Sequence, residues 1–521
     1  MDVSFLLRRT VQDARAVDGG KTAVLLDNGP SWTYEQLHAL SDSYANALRK
    51  MGVGKGDWVG ILLYNCLEYW AVYFAAAKLG AIAVRLNFRL SSEELEYALQ
   101  DSDTHTLCFE RAFLERLTSI RDSVPVKHYV CLAREGDIPE WCLPWDTLEH
   151  NEPVLSDPPW LSGSEAVMLM YTSGTTGRPK GALWTHNNTL WFATIQALKW
   201  NLQPSDVCMT TGPLYHVGAL EDLALPGLLV GAQVIITKSG GFDIRRVLNA
   251  VEHNRVTHVF LFPFMIYEML NLPDLDAYKL EHLKVIVSGG DPVLPWAIER
   301  LHEQFPHVGL VQVYGLTEGT PIAACLDPED VYHKGHTVGK PMPLTEIKIA
   351  DDDGRSLGKR EVGEIWIRSP VVAHEYWRKP EATRETFVDG WCRTGDLGRI
   401  DEDGYLIMAG RKKDMIRSGG ENIYPAELEN VLIQHPKVRD VAIIGVPDPK
   451  YIETVCAVIV PQPGSDLSEQ EILDYCKSRL AGYKKPRYVV FVNELPRTPS
   501  GKIMKYRLRD TYRSLGAQPE A

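Results

Sequence analysis

No stretch of this sequence approaches the roughly 18 uncharged apolar residues of a membrane-spanning helix. The best candidate, Trp70 to Ala77, is cut by Lys78. The first residues, Met1 to Ala16, offer only Phe5-Leu6-Leu7 before Arg8-Arg9 and Asp13, so no secretory signal is expected. Positive charge is not in excess either. Lys plus Arg number 55 against 68 Asp plus Glu, a formal net charge of −13. A general nucleic-acid binder needs the opposite balance, because phosphate contacts call for Lys and Arg. The nine cysteines (66, 108, 131, 142, 208, 325, 392, 456 and 476) form no C-x-x-C pair and no zinc-ligand spacing with His. Reduced thiols in a reducing, cytoplasmic compartment are therefore expected. A peripheral membrane contact stays compatible with these absences. Internal repeats and low-complexity tracts are also missing.

What is present is ordinary globular material. The chain has 521 residues, 45% hydrophobic and 24% charged. That length suggests about three domains and suffices for a large core without metal or disulfide staples. From residue 20 to 160 helix-like and strand-like segments alternate. Thr33 is placed as the N-cap of a helix carrying Leu37, Leu40, Tyr44, Ala47 and Leu48 at helical spacing. Trp58 to Leu63 reads as a buried parallel strand, Tyr69 to Leu79 as a helix and Ala81 to Leu86 as the next strand. Further strands are expected at Gln233 to Thr237, His258 to Phe262 and Lys284 to Ser288. This rhythm predicts α/β layering. After Pro341 short strands (Ile347–Ile349, Gly363–Arg368, Tyr405–Met408) and the turns Asp351–Gly354 and Asp401–Gly404 predict an antiparallel β region. The last ~110 residues predict a small α+β unit, with helices at 425–434 and 468–480 around strands at 440–446, 454–461 and 488–492.

The strongest local signal is Tyr171-Thr172-Ser173-Gly174-Thr175-Thr176-Gly177-Arg178-Pro179-Lys180-Gly181, following the apolar run Ala166 to Met170. Its glycines let the backbone present amide donors, its hydroxyls add more, and Lys180 adds a cation. Such a loop suits a polyphosphate. It is not a Walker A loop, because Gly-Lys-Ser/Thr is missing. Two decoys are set aside. Gly52-Val53-Gly54-Lys55-Gly56 precedes a strand and misses the dinucleotide spacing. Gly354-Arg355-Ser356-Leu357-Gly358 has no following helix to make a nucleophile elbow.

Other segments carry chemistry in a fixed order: Ser288-Gly289-Gly290-Asp291; Tyr314-Gly315-Leu316-Thr317-Glu318 after a strand ending at Val313; Trp391 to Asp396 on an expected turn; the basic Gly-rich run Gly410 to Pro425; and Pro496 to Ile503. Taken singly each has a plain structural alternative. Asp291 is placed as a possible helix N-cap before Pro292, Glu318 as a cap on a following helix, and Asp396 as a turn aspartate. His216 is equally a packed core histidine, and Lys502 a surface lysine. Lys484-Lys485-Pro486-Arg487 reads as a solvated or domain-facing basic face.

Together, in this order, the segments resemble the adenylate-forming superfamily of acyl-CoA synthetases, peptide-synthetase adenylation domains and firefly luciferase, from about Trp32 to Lys505. The resemblance implies an α/β fold. A large N-terminal domain, residues 1–411, would hold two α/β subdomains plus a β-barrel-like subdomain. A mobile α+β C-terminal domain, residues 412–521, would hinge at Lys413. It implies a nucleotide site made of Thr172, Ser173, Gly174, Thr175, Thr176 and Lys180 at the phosphates, with Gly289, Gly290, Asp291, Tyr314 and Gly315 around adenine. Thr317 would contact phosphate, Asp396 and Arg411 the ribose. Glu318 and Thr175 would hold Mg²⁺, and Lys502 would activate the adenylation step. His216 would gate an acyl pocket formed with Val217, Phe262, Phe264, Met265 and Leu316, and Ser418, Gly419 and Gly420 would line a CoA channel.

The implied reaction is attack of a carboxylate on the ATP α-phosphate with loss of pyrophosphate, then thioester formation with CoA and loss of AMP. No side-chain nucleophile is required, and cations offset the repulsion between anions. The mostly apolar, bulky pocket residues point to a medium-to-long, aromatic or polycyclic acid. Glu221 and Asp222 are unusual there. A solvated helix start is favoured for them over recognition of a polar group on the substrate. The substrates implied are a carboxylic acid, ATP and CoA, with no nucleic acid and a homodimer as a candidate assembly. One alternative is an adenylation-only enzyme that passes its acyl-adenylate to a partner enzyme. With no carrier domain after Ala521, a multimodular peptide synthetase is not expected. A nucleotide-binding pseudoenzyme is disfavoured by the presence of Glu318, Asp396, Arg411 and Lys502.

Overall fold

The structure is a computed structural model, and it describes residues 1–12, 20–172, 178–418, 421–477, 479–497 and 503–515. The chain forms two compact units. The first comprises Met1–Gly335, Pro341–Glu346 and Ile367–Arg393; the second comprises His336–Lys340, Ile347–Trp366 and Thr394–Ala521.

The first unit is built on two sheets. In spatial order one sheet runs Thr320–Leu326, Gly309–Leu316, Val285–Gly289, His258–Phe260, Val207–Thr210, Gln233–Ile236, Thr22–Leu26 and Ser31–Thr33. The other runs Glu375–Tyr376, Lys180–Thr185, Ala166–Thr172, Ile82–Arg85, Trp58–Leu62, Thr106–Glu110, His128–Leu132 and Leu143–Pro144. Their central strands are parallel, which requires both faces to be covered. The helix Leu67–Leu79 is apolar on all sides and buried along its length, as such helices must be. It shares one continuous core with Val24 and Ile236 of the first sheet and Val59 and Met168 of the second. Lys78, which breaks its apolar run, is buried too. Its ammonium lies 2.7 Å from Asp42 and 2.6 Å from the Ser41 hydroxyl. Helix Tyr34–Lys50 begins where Thr33 predicts, with a complete capping box between Thr33 and Gln36.

Three local expectations are corrected. The strand expected to stop at Val313 continues to Leu316, and the segment after Glu318 is a strand, Thr320–Leu326, rather than a helix. Glu318 therefore caps nothing. Gly315 permits this hairpin: a Cβ there would collide with the Thr320 and Pro321 carbonyl oxygens. Asp291 is not an N-cap, because the next helix is Pro295–Gln304 with Leu294 at the cap position. Pro295 fixes that start, since its ring pre-sets helical φ. Asp396 lies inside the strand Trp391–Ile400 and not on a turn.

In the second unit Ile452–Pro461 is flanked by Val438–Asp448 on one side and by Ile416–Ser418 and the parallel strand Tyr488–Phe491 on the other. Alternate residues of one strand serve opposite faces. Val441 and Ile443 pack with Leu428, Leu432 and Ile472 of helices Pro425–Leu432 and Glu469–Lys477. Ala442 and Ile444 pack with Leu508 of helix Lys505–Tyr512. Lys484 and Arg487 are paired with Glu427 (2.7 Å) and Asp448 (2.8 Å), so this basic run is tied down and not simply solvated. The architecture is thus mixed α/β, with a large N-terminal and a small α+β C-terminal domain. All nine cysteines are buried free thiols. Among the described residues no helix is long and apolar enough to cross a membrane.

Candidate active site

Four neighbouring parallel strands of the first sheet bring most of the candidate residues to one edge. The carboxyl end of Gly309–Leu316 carries Tyr314, Gly315 and Leu316. That of Val285–Gly289 carries Gly289, Gly290 and Asp291. Phe262, Phe264 and Met265 follow His258–Phe260, and His216 and Val217 follow Val207–Thr210. The carboxyl ends of strands in an open parallel sheet are where ligands bind, since loops there diverge and backbone groups stay unpaired.

Close packing explains the glycines. Gly289 lies opposite Val313 in the parallel register, and a Cβ on it would stand 2.7 Å from Val313 Cγ2. Gly290 has φ +96°, a left-handed conformation, and faces the Phe262 ring at 3.8 Å from its Cβ direction. Tyr314, one residue past Val313, stands half-buried beside this bare backbone.

Glu318 sits at the tip between the two last strands. Its Oε1 accepts hydrogen bonds from Thr172 Oγ1 (2.8 Å) and Tyr376 Oη (3.0 Å). Its backbone carbonyl accepts from Ala373 N at 2.9 Å, and the Thr317 carbonyl from Trp184 Nε1 at 3.0 Å. Thr172 ends the central strand Ala166–Thr172 of the second sheet, so this contact joins the two sheets at the site. Lys180, the first residue of the adjoining strand, lies over the Tyr376 ring at 5.1 Å. Burial, reinforced by the Glu318 charge, raises the Tyr376 phenol and keeps it a donor. A single carboxylate backed by hydroxyls suits Mg²⁺, which takes one or two carboxylates and completes its shell with substrate phosphates and water. Ser173, Gly174, Thr175, Thr176, Gly419, Gly420 and Lys502 lie outside the described residues.

His216 is exposed to solvent although protein packs densely around it. Burial and the Arg85 charge push its imidazole down to about 4. The Gly218 amide donates to Nδ1 at 3.0 Å, which leaves the proton of the neutral ring on Nε2. Val217 and Met265 are buried, and Phe262 and Leu316 are half-buried. Phe264 is 42% exposed and stacks on Phe262 at 6.2 Å.

The expectation of a solvated Glu221 and Asp222 is overturned: both are buried. Glu221 pairs with Arg85, whose guanidinium also reaches the Leu214 and His216 carbonyls. Burial still pushes the Glu221 carboxyl up to about 7 against the pull of Arg85. Arg85 was missed as a site residue, although a charge in the apolar run Ala81 to Leu86 signals a buried partner. Asn65 was also missed. It donates to the Gly212 carbonyl and accepts from Leu214 N, each at 2.8 Å, fixing the loop before His216. Tyr376 and Trp184 gave no local signal, because their roles arise only from strand pairing.

In the second unit Asp396 and Arg411 are register partners on antiparallel strands, and Arg411 Nε lies 3.1 Å from Asp396 Oδ1. Gly395, with φ +69°, permits the bend before Asp396. Lys413 lies in the short 3₁₀ turn Lys412–Asp414. Ser418 ends the strand Ile416–Ser418.

Comparison with known proteins identifies the family. The family model described as AMP-binding enzyme matches residues 11–377, and its C-terminal domain model matches residues 427–502. An indoleacetate–CoA ligase of Aromatoleum aromaticum is 36% identical over 493 residues, covering 95% of each chain. A feruloyl-CoA synthase of an Amycolatopsis species is 38% identical over 481 residues, covering 92% of this chain and 94% of its own. Among solved structures, an anthranilate CoA ligase in complex with anthranoyl-AMP superposes with a TM-score of 0.89 at 30% identity, covering 99% of this chain and 98% of the other. The chain belongs to the AMP-binding enzyme family, the adenylate-forming superfamily of acyl-CoA synthetases.

Proposed function

We propose that this protein is an AMP-forming acid–CoA ligase whose acid is bulky and carries an aromatic or long apolar body. The observation that carries this is the single sheet edge at which Gly289, Gly290, Tyr314, Phe262 and His216 meet. The bare backbone of Gly289 and Gly290 adjoins the Phe262 ring, so a nucleotide and an acyl chain would lie side by side.

The family's chemistry sets the steps: an acid and ATP give an acyl-adenylate and pyrophosphate, and CoA then displaces AMP. Tyr314 stacks on adenine, and Asp396 with Arg411 holds the ribose. Thr172 to Lys180 and Thr317 bind the phosphates. Lys502 would place positive charge where negative charge develops on the transferring phosphate. Glu318 and Thr175 would hold Mg²⁺, which when bound offsets the charge of the triphosphate. His216, neutral with its proton on Nε2, offers the acid carboxylate a hydrogen bond without the tight ground-state ion pair a cation would form. We place the boundary between the domains at residues 411/412, a hinge at Lys413, and the CoA thiol's approach along Ser418, Gly419 and Gly420. The similar ligases named for indoleacetate, ferulate and anthranilate act on aromatic acids, which supports the aromatic class here.

The test is pyrophosphate release with ATP, Mg²⁺ and a panel of carboxylic acids, followed by mass spectrometry for the CoA thioester. Bulky acids are expected to exceed acetate in kcat/KM, and a thioester is expected to form. A preference for acetate would refute the acid class. Pyrophosphate without thioester would instead establish the adenylation-only alternative.

A further inference from the structure

Beside the Glu318 cluster lies a cavity of about 310 Å³ that the reaction above does not use. Glu375, Tyr376, Arg378, Lys379, Thr383 and Arg384 line it. Its size is that of a small-molecule site. Three of its side chains are cations and one is a carboxylate, in a chain whose formal net charge is −13.

The fold places these cations. The Asp101 carbonyl accepts from Trp377 Nε1 at 3.0 Å and from Arg378 Nη1 at 3.3 Å, and Lys379 Nζ lies 3.1 Å from Asp101 Oδ1. Near the end of helix Ser92–Ser102, Asp101 thus anchors three consecutive side chains. Arg378 has φ +52°, a left-handed conformation that persists in a non-glycine residue only where the surroundings impose it. Thr383 ties the next helix, Pro380–Thr386, to the same segment. Its hydroxyl accepts from Tyr376 N at 3.0 Å and donates to the Lys379 carbonyl at 2.8 Å. Arg384 follows Thr383 and has no ion-pair partner among the described residues. An arginine carries five N–H donors and a lysine three, so the contacts of Arg378 and Lys379 with Asp101 and Asp103 use only part of their capacity.

Tyr376 joins this cavity to the candidate phosphate site. It lines the cavity, its Oη donates to Glu318 Oε1, and Lys180 lies over its ring. Guanidinium groups take two phosphate oxygens at once, and an ammonium adds a point charge. We infer that the cavity is a diphosphate-binding site separate from the ATP site, with Arg378, Lys379 and Arg384 as its cations. The proposed reaction offers two such groups: the pyrophosphate that leaves and the diphosphate of CoA. The inference goes beyond the ligase function, and its binding test needs no turnover.

The experiment titrates inorganic pyrophosphate by calorimetry into the whole protein saturated with Mg²⁺ and α,β-methylene-ATP, so that the ATP site is already filled. Wild type is expected to bind a further pyrophosphate. Arg384 is exposed, so its substitution leaves the core intact, which thermal melts check. Arg384→Glu should weaken the binding about tenfold or more, and Arg384→Lys should weaken it less. Kinetics separates the two sources. If the cavity receives the leaving group, Arg384→Glu raises the inhibition constant for pyrophosphate and leaves KM for CoA unchanged. If it receives CoA, KM for CoA rises and pyrophosphate inhibition is unchanged. Equal affinity of wild type and Arg384→Glu for pyrophosphate overturns the inference. So does a nucleotide-saturated wild type that binds no pyrophosphate, a result that needs no variant to fold. The ligase function is decided separately, by thioester formation.

Discussion

Arg85 and Glu221, 136 positions apart in sequence, form an ion pair in which neither side chain is exposed. Arg85 ends the strand Ile82–Arg85 of one sheet. Through the Leu214 and His216 carbonyls it holds the loop leaving the strand Val207–Thr210 of the other. One cation therefore fixes both sides of the His216 segment. A buried pair of this kind adds little net stability over apolar packing, but it is expensive to half-remove.

Arg85→Met alone should lower unfolding free energy by about 3–5 kcal/mol, since it strands the Glu221 charge. Arg85→Met combined with Glu221→Met should recover much of that loss, because both charges leave together. Denaturant unfolding of the two singles and the double decides it. Additive losses would mean that the pair is not coupled.

The Glu318 cluster separates binding from support. Glu318→Gln should cut pyrophosphate release about 100-fold or more and weaken the dependence on Mg²⁺. Chelation should silence the wild type, and added Mg²⁺ should restore it. Tyr376→Phe removes the 3.0 Å bond to Oε1 and should cost about 1 kcal/mol of stability. Kinetics at several Mg²⁺ concentrations, beside thermal melts, checks both. Equal kinetic losses in the two variants would contradict the separation.

Gly289→Ala places a Cβ 2.7 Å from Val313 Cγ2, a contact that Val313 can relieve only by moving. Overpacking of this sort costs about 1–3 kcal/mol. KM for ATP should rise, because Tyr314 follows Val313 directly. An alanine variant with unchanged ATP affinity would detach these residues from the nucleotide.

Lys502→Ala should lower the maximal rate of pyrophosphate release by about 100-fold while ATP affinity changes little, as expected of a charge acting on the transition state. Asp396→Ala should show the reverse balance, with KM for ATP raised about tenfold from lost ribose contacts. Steady-state kinetics with ATP varied tests this split.

Stability should fall as pH drops from about 6.5 to about 4. His186 and His258 are buried, and burial holds each near 4 in the folded chain. The unfolded histidines bind protons from about 6.5 downward, so across that window the unfolded state takes up protons that the folded state refuses. Asp206, 4.0 Å from His258, opposes the effect without cancelling it. Below about 4 the contribution is flat. Glu221, raised to about 7, has the opposite sign between its unfolded value and 7, so comparison with His186→Gln isolates the histidine. That variant should flatten the melting-temperature profile between pH 6.5 and 4. A profile as steep as the wild type's would exclude His186 as a source.

The sequence by itself determined most of the secondary structure and the family. Thr33 with Gln36 starts a helix because the two side chains satisfy local amide groups. The strands at Trp58 and Gln233 follow from unbroken apolar runs. The spaced segments at Thr172, Tyr314, Asp396 and Arg411 carried the resemblance. These are short-range or pattern signals, and chain order preserves them. The tertiary structure alone decided the rest. Asp396 is a strand residue because its partner Arg411 arrives by register. Glu318 caps no helix because Gly315 lets a hairpin close on it. Glu221 and Asp222 look solvated as letters, since charged residues are seldom buried. They are buried because Arg85 arrives from another sheet and a break at Leu223 turns the chain. Burial, pairing and the shift of a carboxyl depend on which atoms meet across long separations in sequence, and only the folded chain specifies that.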